Sequence, residues 1–316
     1  MAAGLGTRLM PLTELTSKPT VPVANHPIME YIVRLLAAHG VTDLAANLHY
    51  HPDEIRGHFG DGTAFGVHLR YAFELELSGT AGGVGQFRDF LSDGTFLVMS
   101  GDALTDIDLT AFLAAHAERG GICTMAVKSV DDPSLYGVVV HDDRDQVVGF
   151  QEKPDRAEAL SNLCNCGIYA LESRIFDYIP AGEFVDFAKD VFPALMAAGE
   201  QFHVWRVDSY WNDVGSLDVY RQSNYDVLSG AVDVELPGRE TSSGIRVAEG
   251  TEIAAEAVLV PPVLLGSGCR VGAGARLVGP VVLGDGCELA DGATVDRSVV
   301  WTGTTLGPRA LSLIHI

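Results

Sequence analysis

A six-residue repeat in the C-terminal part of the chain limits its possible folds more than any other feature. An apolar residue recurs at every sixth position, and Gly-rich turns separate these positions. The period fits neither an α-helix, at about 3.6 residues per turn, nor the two-residue alternation of a long strand. It fits a triangular, left-handed parallel β-helix, in which equivalent residues stack inside the prism. The repeat positions are Val247, Ile253, Leu259, Leu265, Val271, Leu277, Leu283, Leu289, Val295 and Trp301.

The N-terminal part of the chain has a different pattern. Short apolar runs at 96–100, 122–128 and 137–140 alternate with amphipathic stretches at 28–39 and 109–119. This alternation predicts an α/β domain with a Rossmann-like, mainly parallel sheet covered by helices.

The two patterns together predict two domains, as expected for a chain of 316 residues. We expect the α/β domain to occupy 1–229 and the β-helix 247–306. A linker over 230–246 is rich in Pro, Gly, Ser and charge. The hexad register stops near Gly307, so we expect an irregular tail over 307–316.

The net charge and the cysteine content limit the binding partners and the cellular compartment that we expect for this chain. The chain has 21 basic and 42 acidic residues, a net charge of -21, which disfavours binding to nucleic acid or to an acidic membrane. Its 5 cysteines are too dispersed for a disulfide framework or a paired zinc site. No apolar run reaches the length of a membrane span, and the N-terminus lacks a signal-peptide layout. These observations predict a cytoplasmic protein without a nucleic-acid or membrane partner.

A glycine-rich loop opens the chain and predicts a phosphate site. Gly4 and Gly6 allow backbone N–H groups to approach an anion, and Arg8 and Lys18 supply positive charge. The spacing matches neither the P-loop nor the dinucleotide-binding fingerprint.

The whole opening run, Gly4 to Thr13 followed by Lys18-Pro19, resembles the signature of the sugar-1-phosphate nucleotidylyltransferases, also called sugar-nucleotide pyrophosphorylases. Several members of that family also carry a left-handed β-helix, and the mannose-1-phosphate guanylyltransferase branch is the most similar. Further matches follow in the family's order at Gly79-Thr80-Ala81-Gly82, Ser100-Gly101-Asp102, Tyr136-Gly137, Glu152-Lys153-Pro154, Asn165-Cys166-Gly167-Ile168-Tyr169, Lys189-Asp190-Val191-Phe192-Pro193 and Trp211-Asn212-Asp213-Val214-Gly215.

The resemblance implies a reaction between a nucleoside triphosphate and a sugar 1-phosphate that yields a nucleoside-diphosphate sugar and pyrophosphate. GTP and mannose 1-phosphate, giving GDP-mannose, are the expected substrates. Glucose-1-phosphate thymidylyl-, uridylyl- or adenylyltransferases remain alternatives, as does a catalytically silent regulatory subunit. Such a reaction depends mainly on positioning and charge neutralisation, because a phosphate monoester is already ionised at neutral pH.

The resemblance also implies roles for individual residues. Asp102 and Asp213 would hold Mg²⁺, the expected cofactor, and Asp102 follows an apolar run, as ligands at the carboxyl ends of strands do. Arg8 would bind the β- and γ-phosphates, Lys18 the α-phosphate and Lys153 the sugar phosphate. Nucleotide contacts are expected from Gly4, Leu5, Gly6, Thr7, Gly79 and Thr80, and sugar-phosphate contacts from Gly137, Glu152, Lys153 and Asn165.

Other interpretations are less favoured. Hexapeptide β-helices often serve acyl transfer with a histidine base, but 247–306 contains no histidine. Retention of Arg8, Lys18, Asp102, Lys153 and Asp213 argues against a silent subunit. An open last coil predicts a homo-oligomer formed through the β-helix and the catalytic domain. Family members place an apolar strand before the glycine loop, so we expect the first strand to be truncated here and residues 310–316 to be non-native.

Overall fold

A computed structural model describes residues 1–314 and 316. The chain forms two compact units: residues 1–6, 13–19 and 32–213 make the first, and residues 7–12, 20–31 and 214–316 make the second. Residues 20–31 and 214–229 thus belong to the same compact unit as the β-helix strands.

The helices include the amphipathic segments expected from the sequence. The helix predicted at 109–119 is confirmed: Asp108 caps it by accepting a hydrogen bond from the Ala111 N–H at 2.9 Å, and Gly120 ends it. Within residues 1–314 and 316, no helix is both long and apolar enough to cross a membrane. The α-helices are α1 (Ile28–Ala38), α2 (Pro52–Phe59), α3 (Gly79–Gly85), α4 (Leu109–Arg119), α5 (Phe192–Ala198) and α6 (Leu217–Ser229).

Twelve strands precede the β-helix, and most of them form the sheets of the first unit. In its largest sheet, β5 and β7 both pair antiparallel with β10, and β7 pairs parallel with β11. The predicted α/β class is confirmed. The strands are β1 (Pro22–Val23), β2 (His26–Pro27), β3 (Asp43–Leu48), β4 (His68–Phe73), β5 (Thr95–Met99), β6 (Leu104–Thr105), β7 (Cys123–Ser129), β8 (Gly137–His141), β9 (Val147–Glu152), β10 (Leu163–Glu172), β11 (Phe202–Arg206) and β12 (Trp211–Asn212).

The first residues of the chain lie between β5 and the separate parallel pair formed by β3 and β4. The Met1 ammonium donates to the Met99 carbonyl at 2.7 Å, and the Gly101 N–H donates to the Met1 carbonyl at 2.8 Å. On the other side, the Ala2 N–H donates to Asn47 Oδ1 at 2.9 Å. Met1 and Ala2 therefore link the two sheets, although residues 1–3 are not assigned to a strand.

An aromatic cluster packs α5 against β9, β10 and β11. The Phe192 ring of α5 lies 5.3 Å from Phe150 of β9, 5.3 Å from Tyr169 of β10 and 5.0 Å from Phe202 of β11, centroid to centroid. Phe192 is fully buried. Burial of such a side chain stabilises the fold by about 2–3 kcal/mol, so β10 has a rigid support on this face.

Three parallel ladders form the β-helix, as the repeat predicts. One ladder is β14-β17-β20-β23, the second is β15-β18-β21-β24 and the third is β16-β19-β22-β25. The left hand of the coil stays a prediction. The strands are β13 (Arg239–Ser242), β14 (Ile245–Val247), β15 (Glu252–Ile253), β16 (Val258–Val260), β17 (Val263–Leu265), β18 (Arg270–Val271), β19 (Arg276–Val278), β20 (Val281–Leu283), β21 (Glu288–Leu289), β22 (Thr294–Asp296), β23 (Val299–Val300), β24 (Thr305–Leu306) and β25 (Leu311–Leu313).

The register explains the six-residue period and shows where it fails. Leu265 pairs with Leu283, eighteen residues or three hexads later. The next coil is one residue shorter, because Leu283 pairs with Val300. Val300 is buried in the β-helix core, whereas Trp301 is outside the core cluster. The prediction that Trp301 is an inward repeat position is therefore wrong. Ile253 is also not buried, with 38% of its surface exposed.

The shorter coil also corrects both predicted edges of the β-helix. After Val300, the six-residue spacing continues to Leu306 and Ser312, and Val295 pairs with Ser312. The segment 311–313 is thus a strand of the third ladder, in contrast to the predicted irregular tail. At the other edge, β13 lies inside the predicted linker and pairs antiparallel with β14.

Candidate functional site

Two short strands bring the predicted metal-binding aspartates together in the first unit. Asp102 follows β5, and the next strand, β6, pairs antiparallel with β12, so that Asn212 lies opposite Leu104. This register places Asp213, which follows β12, beside the Asp102 segment. The Thr105 hydroxyl strengthens the pairing by donating to the Tyr210 carbonyl at 2.7 Å.

Lys18 connects the two aspartate segments. Its Nζ lies 2.7 Å from Asp102 Oδ2 and donates to the Asp213 carbonyl at 2.7 Å. The Lys18 side chain is only 9% exposed, whereas that of Asp102 is 35% exposed. This charge-assisted hydrogen bond is largely shielded from solvent, so it holds the Lys18 ammonium in one place. Three of the five predicted catalytic residues thus form a single cluster.

The glycine loop packs directly on Lys18. Gly6 has φ +65°, and a Cβ there would lie 3.0 Å from Lys18 Cβ and 3.1 Å from Thr13 Cγ2. The Thr13 hydroxyl donates to the Gly6 carbonyl at 2.9 Å. Gly6 is therefore required by both its backbone conformation and this close approach. Gly4 and Leu5 are exposed.

Arg8 and Thr7 lie in the short 3₁₀ helix Thr7–Leu9, which belongs to the second compact unit. Both side chains are exposed. Their predicted phosphate contacts stay predictions.

Three predicted sugar-phosphate residues lie together at the open end of a hairpin. Gly137 of β8 pairs with Glu152 of β9, and the Lys153 N–H donates to the Tyr136 carbonyl at 3.1 Å. Lys153 Nζ lies 3.4 Å from Glu152 Oε1, and both side chains are more than half exposed. Lys153 has φ +44°, an uncommon conformation for a residue with a side chain. The turn therefore presents a solvated cation and carboxylate.

A bulge in β10 orients Asn165. The register of β10 against β7 shifts between Asn165 and Tyr169. Asn165 Oδ1 accepts from the Gly167 N–H at 2.8 Å, and its Nδ2 donates to the Tyr169 hydroxyl at 2.9 Å. Burial raises the pKa of Tyr169, so this hydroxyl stays protonated. The Gly167 carbonyl accepts from the Ser100 N–H, two residues before Asp102, at 2.9 Å. The bulge thus joins Asn165 to the aspartate segment.

Gly79 and Thr80 are held against the segment that follows β10. Gly79 has φ +82°, and a Cβ there would lie 2.3 Å from the Val185 carbonyl oxygen. The Thr80 hydroxyl donates to Asp186 Oδ2 at 3.0 Å and accepts from the Phe187 N–H at 2.9 Å. These contacts show a structural role for both residues, and their predicted nucleotide contacts stay predictions.

A buried polar network between β3, β4 and α3 is not evident from the sequence. Asn47 Nδ2 donates to Glu74 Oε1 at 2.7 Å, and Glu74 Oε2 accepts from the Ser78 N–H and hydroxyl at 2.8 and 2.7 Å. Because Asn47 also accepts from Ala2, the network joins the start of the glycine loop to the start of α3. The signal in the sequence is a glutamate directly after β4 and five residues before Gly79.

Protein side chains near the Lys18 cluster supply only some of the ligands that a hard divalent cation needs. Among the residues that the structure describes, no group of three His, Cys, Asp or Glu side chains could hold a metal ion. The Asp102 carboxylate is partly exposed and lies at the Lys18 cluster together with the Asp213 segment. Two carboxylates with several waters and substrate phosphates are the usual environment of Mg²⁺. The Asp102 carboxylate and the nearby Asp213 segment therefore offer the kind of oxygen donors that this ion prefers.

Comparisons with known proteins agree with the residue patterns. The nucleotidyl transferase family model matches residues 1–230. A UTP–glucose-1-phosphate uridylyltransferase of Synechocystis is 38% identical over 98% of this chain and 84% of its own length. A mannose-1-phosphate guanylyltransferase of Mycobacterium tuberculosis is 33% identical over 85% of this chain and 74% of its own length. Among solved structures, HddC from Yersinia pseudotuberculosis has the same fold, with TM-score 0.63, 23% identity and coverage of 72% of this chain and 96% of that one.

Proposed function

Because the chain belongs to the nucleotidyl transferase family, we propose that it transfers the nucleotidyl group of GTP to mannose 1-phosphate, giving GDP-mannose and pyrophosphate. The observation that carries this proposal is the cluster of Lys18, Asp102 and Asp213, in which one buried ammonium holds two acidic segments. The mannose-1-phosphate guanylyltransferase of Mycobacterium tuberculosis supports the choice of sugar and base.

In this proposal Lys18 neutralises charge that builds on the α-phosphate during transfer. Its position is fixed before substrate arrives, so little reorganisation is needed in the transition state. The sugar phosphate oxygen attacks the α-phosphorus, that P–O bond forms, and the bond to pyrophosphate breaks. The attacking phosphate is already ionised, so no general base is assigned. Arg8 binds the β- and γ-phosphates of GTP and the departing pyrophosphate.

Asp102 and Asp213 would hold Mg²⁺ at the same cluster. When bound, the ion supplies positive charge to phosphate oxygens of both substrates. The Lys18 ammonium offsets part of the charge of the Asp102 carboxylate, which limits its repulsion of phosphates on a chain with net charge -21.

The Lys153 hairpin is proposed to bind the sugar phosphate. Lys153 contacts the phosphate, Glu152 and the Gly137 backbone contact sugar hydroxyls, and Asn165 adds a further hydrogen bond. The exposure of Lys153 and Glu152 supports this, because both side chains can reorient toward a ligand. The nucleotide is proposed to lie along Gly4–Thr7 and near Gly79 and Thr80.

An alternative function differs from the proposed one in the nucleotide base and in the sugar that it uses. The 38% identity to a UTP–glucose-1-phosphate uridylyltransferase over 98% of the chain favours UTP and glucose 1-phosphate as the alternative pair. A few hydrogen bonds to the base decide between such substrates.

A substrate matrix tests both pairs. Five nucleoside triphosphates are combined with the 1-phosphates of mannose, glucose and N-acetylglucosamine, and pyrophosphate release is measured in the presence of Mg²⁺. We expect GTP with mannose 1-phosphate to have the highest kcat/KM, by about tenfold or more. A maximum for UTP with glucose 1-phosphate would overturn the specificity, and no release with any pair would overturn the enzymatic activity.

We further propose a cytoplasmic homo-oligomer formed through the β-helix and the catalytic domain. Exposed apolar side chains on the third ladder support the assembly: Val258 and Val260 are each 40% exposed, Leu311 65% and Leu313 51%. The 5 free cysteines are all buried, which suits a reducing compartment. Sedimentation of the full chain as a monomer would contradict the oligomer.

A further inference from the structure

The segment that leads into Lys18 has little regular secondary structure of its own. Residues 15–17 form a bend and a loop between two short 3₁₀ helices. Thr13 and Ser17 are nevertheless fully buried, and Lys18 is buried as well. Because buried backbone N–H and C=O groups need hydrogen-bond partners, side chains from other parts of the chain must supply some of them.

Glu54, in the first turn of α2, binds this segment directly before Lys18. Its Oε2 atom accepts a hydrogen bond from the Thr16 hydroxyl at 2.7 Å and a second one from the Ser17 N–H at 2.9 Å. A carboxylate acceptor makes both bonds stronger than bonds between neutral groups. Glu54 and residues 13–19 belong to the same compact unit. The Glu54 carboxylate thus fixes the peptide that leads into Lys18.

The helix that carries Glu54 is itself held in place. Its side chains Ile55 and Phe59 are buried, and the Phe59 ring lies 5.3 Å from the Phe65 ring, centroid to centroid. Burial of each of these two side chains contributes about 1.5–3 kcal/mol to stability. Pro52 stands in the first turn, where its fixed φ suits the start of a helix. The start of α2 is therefore a firm support for the Glu54 carboxylate.

Tyr50, on the connection between β3 and α2, holds the start of the same segment. Its hydroxyl donates to the Thr13 carbonyl at 3.0 Å, and its ring meets the His51 ring edge to face with centroids 4.2 Å apart. The Thr13 hydroxyl in turn donates to the Gly6 carbonyl. Tyr50 therefore ties both the Lys18 segment and the glycine loop to the start of α2.

Nucleotidyl transfer makes these backbone contacts important. Lys18 Nζ already bonds to Asp102 and to the Asp213 carbonyl. To neutralise charge on the α-phosphate, the ammonium must give part of its limited hydrogen-bonding capacity to a phosphate oxygen. The aliphatic stem of a lysine is flexible, so a fixed backbone is then needed to keep the ammonium in place. Glu54 and Tyr50 supply that restraint.

We propose that Glu54 and Tyr50 are positioning residues for nucleotidyl transfer, and this rests on the function proposed for the Lys18 cluster. They act through Lys18 and not by contact with substrate. Glu54 holds the peptide before Lys18 so that the ammonium keeps its position while charge builds on the α-phosphate. A displacement of about 1 Å at such a group costs up to about a hundredfold in rate. Loss of the Glu54 contacts should therefore lower kcat more than it changes KM.

The test compares two substitutions of Glu54 with a matched neighbour. Glu54→Ala removes the acceptor of both bonds, whereas Glu54→Gln removes the same charge and keeps an oxygen that can accept both. Asp53→Asn removes a charge from an exposed residue of the same helical turn. We expect Glu54→Ala to lower kcat about tenfold with KM within about twofold, and the other two variants to keep kcat within about threefold. An unchanged kcat in Glu54→Ala, or equal losses in both Glu54 variants, would overturn the proposal.

Two further variants separate positioning from stability. Tyr50→Phe removes one neutral hydrogen bond and keeps the ring, so kcat should fall about threefold. Ile55→Val trims the buried face of α2 and leaves the Glu54 carboxylate in place, so it should lower Tm and keep kcat within about twofold. If kcat simply follows Tm across the variants of these three residues, the roles of Glu54 and Tyr50 are structural and the proposal is wrong.

A double-mutant cycle shows whether the effect passes through Lys18. In a Lys18→Gln background, Glu54→Ala should reduce the remaining rate less than about twofold, because the group that it positions is already absent. A full additional loss of about tenfold would show that Glu54 acts by another route and would overturn the proposal.

Hydrogen exchange at the Ser17 amide separates this inference from the proposed function. In Glu54→Ala, but not in Asp53→Asn, this amide should exchange about tenfold faster or more, since its acceptor is gone. If the wild-type protein releases no pyrophosphate with any substrate pair, the proposed function fails and the role in transfer fails with it. If the wild type is active and Glu54→Ala leaves exchange at Ser17 unchanged, the positioning role alone is overturned.

Discussion

The two lysines that stand before proline in matched motifs have opposite environments. The Lys18 side chain is only 9% exposed and has two partners at 2.7 Å, one charged and one neutral. Lys153 is 54% exposed, and its nearest partner in an ion pair, Glu152, lies at 3.4 Å and is itself 55% exposed. The same sequence context thus yields one fixed cation and one solvated cation.

This difference predicts that Lys18 and Lys153 have different roles, one in the transition state and one in substrate binding. Substitutions at the two positions should separate these roles. A fixed cation can stabilise charge that appears only in the transition state, so its loss should reduce kcat. A solvated cation loses conformational freedom when the ligand arrives and contributes to binding of substrate and transition state alike, so its loss should raise KM.

Lys18→Gln should give the largest loss of activity. Removal of the fixed ammonium is expected to lower kcat about 100- to 1,000-fold, with a smaller change in KM. Because Asp102 is partly exposed, the variant should still fold, which circular dichroism and Tm would check. A change confined to KM would contradict the assignment of Lys18 to the transition state.

Lys153→Gln should act mainly on binding. The loss of one charged hydrogen bond, about 1.5–3 kcal/mol, is expected to raise KM for the sugar 1-phosphate about tenfold or more and to leave KM for the nucleotide unchanged. Arg174→Gln is the matched control, since it removes the same charge from a half-exposed side chain that pairs with Glu200. Equal effects of the two variants would show that Lys153 contributes only long-range charge.

Gly167→Ala tests the bulge that joins Asn165 to the Asp102 segment. Its φ is +67°, and a Cβ would lie 2.5 Å from Ser100 Oγ. Gly199 is the control, because its φ is +70° and a Cβ there would have no neighbouring atom within 4 Å. We expect Gly199→Ala to cost about 1 kcal/mol of unfolding free energy and Gly167→Ala about 2–4 kcal/mol, measured by urea denaturation. Equal losses of unfolding free energy in the two variants would show that contact between the added Cβ and Ser100 Oγ does not contribute.

His203→Phe should have the smallest effect, which appears only as a change in how Tm depends on pH. Burial, and secondarily Arg119, lowers the pKa of His203, and neither ring nitrogen has a hydrogen-bond partner among the described residues. The unfolded chain therefore takes up the proton more readily, so the contribution of this residue to stability is complete above pH 6.5 and declines as pH falls below it. Tm scans from pH 7.5 to 5, roughly spanning the imidazole range, should decline less steeply in the variant. Parallel scans would show that His203 does not titrate on unfolding.

The sequence predicted the parts of the molecule that depend on local order. The hexad spacing predicts the stacked ladders because, up to the shorter coil, each inward residue meets its equivalent eighteen residues later. The α4 bounds follow from Asp108 and Gly120, whose capping is local. Motif order predicts roles for Lys18, Asp102 and Asp213, and the antiparallel pairing of β6 with β12 brings the two aspartate segments together.

What the sequence did not predict depends on contacts between distant segments. A single missing residue after Asp296 shifts the register, and an aromatic side chain at Trp301 satisfies the six-residue pattern equally well whether it points in or out. The Asn47–Glu74 pair was missed because each residue alone is an ordinary polar residue in a strand, and only the fold shows that both are buried together. Such features require the three-dimensional neighbours to be known.

The most direct test of the Lys18 cluster as the catalytic centre is the Mg²⁺ dependence of pyrophosphate release from GTP and mannose 1-phosphate, in the wild type and in Asp102→Asn. We expect a chelator to abolish release by the wild type. Asp102→Asn should lower kcat by about 100-fold or more and need a higher Mg²⁺ concentration for half-maximal rate. Wild-type rates and an unchanged Mg²⁺ requirement in Asp102→Asn would contradict the assignment of the cluster as the catalytic centre.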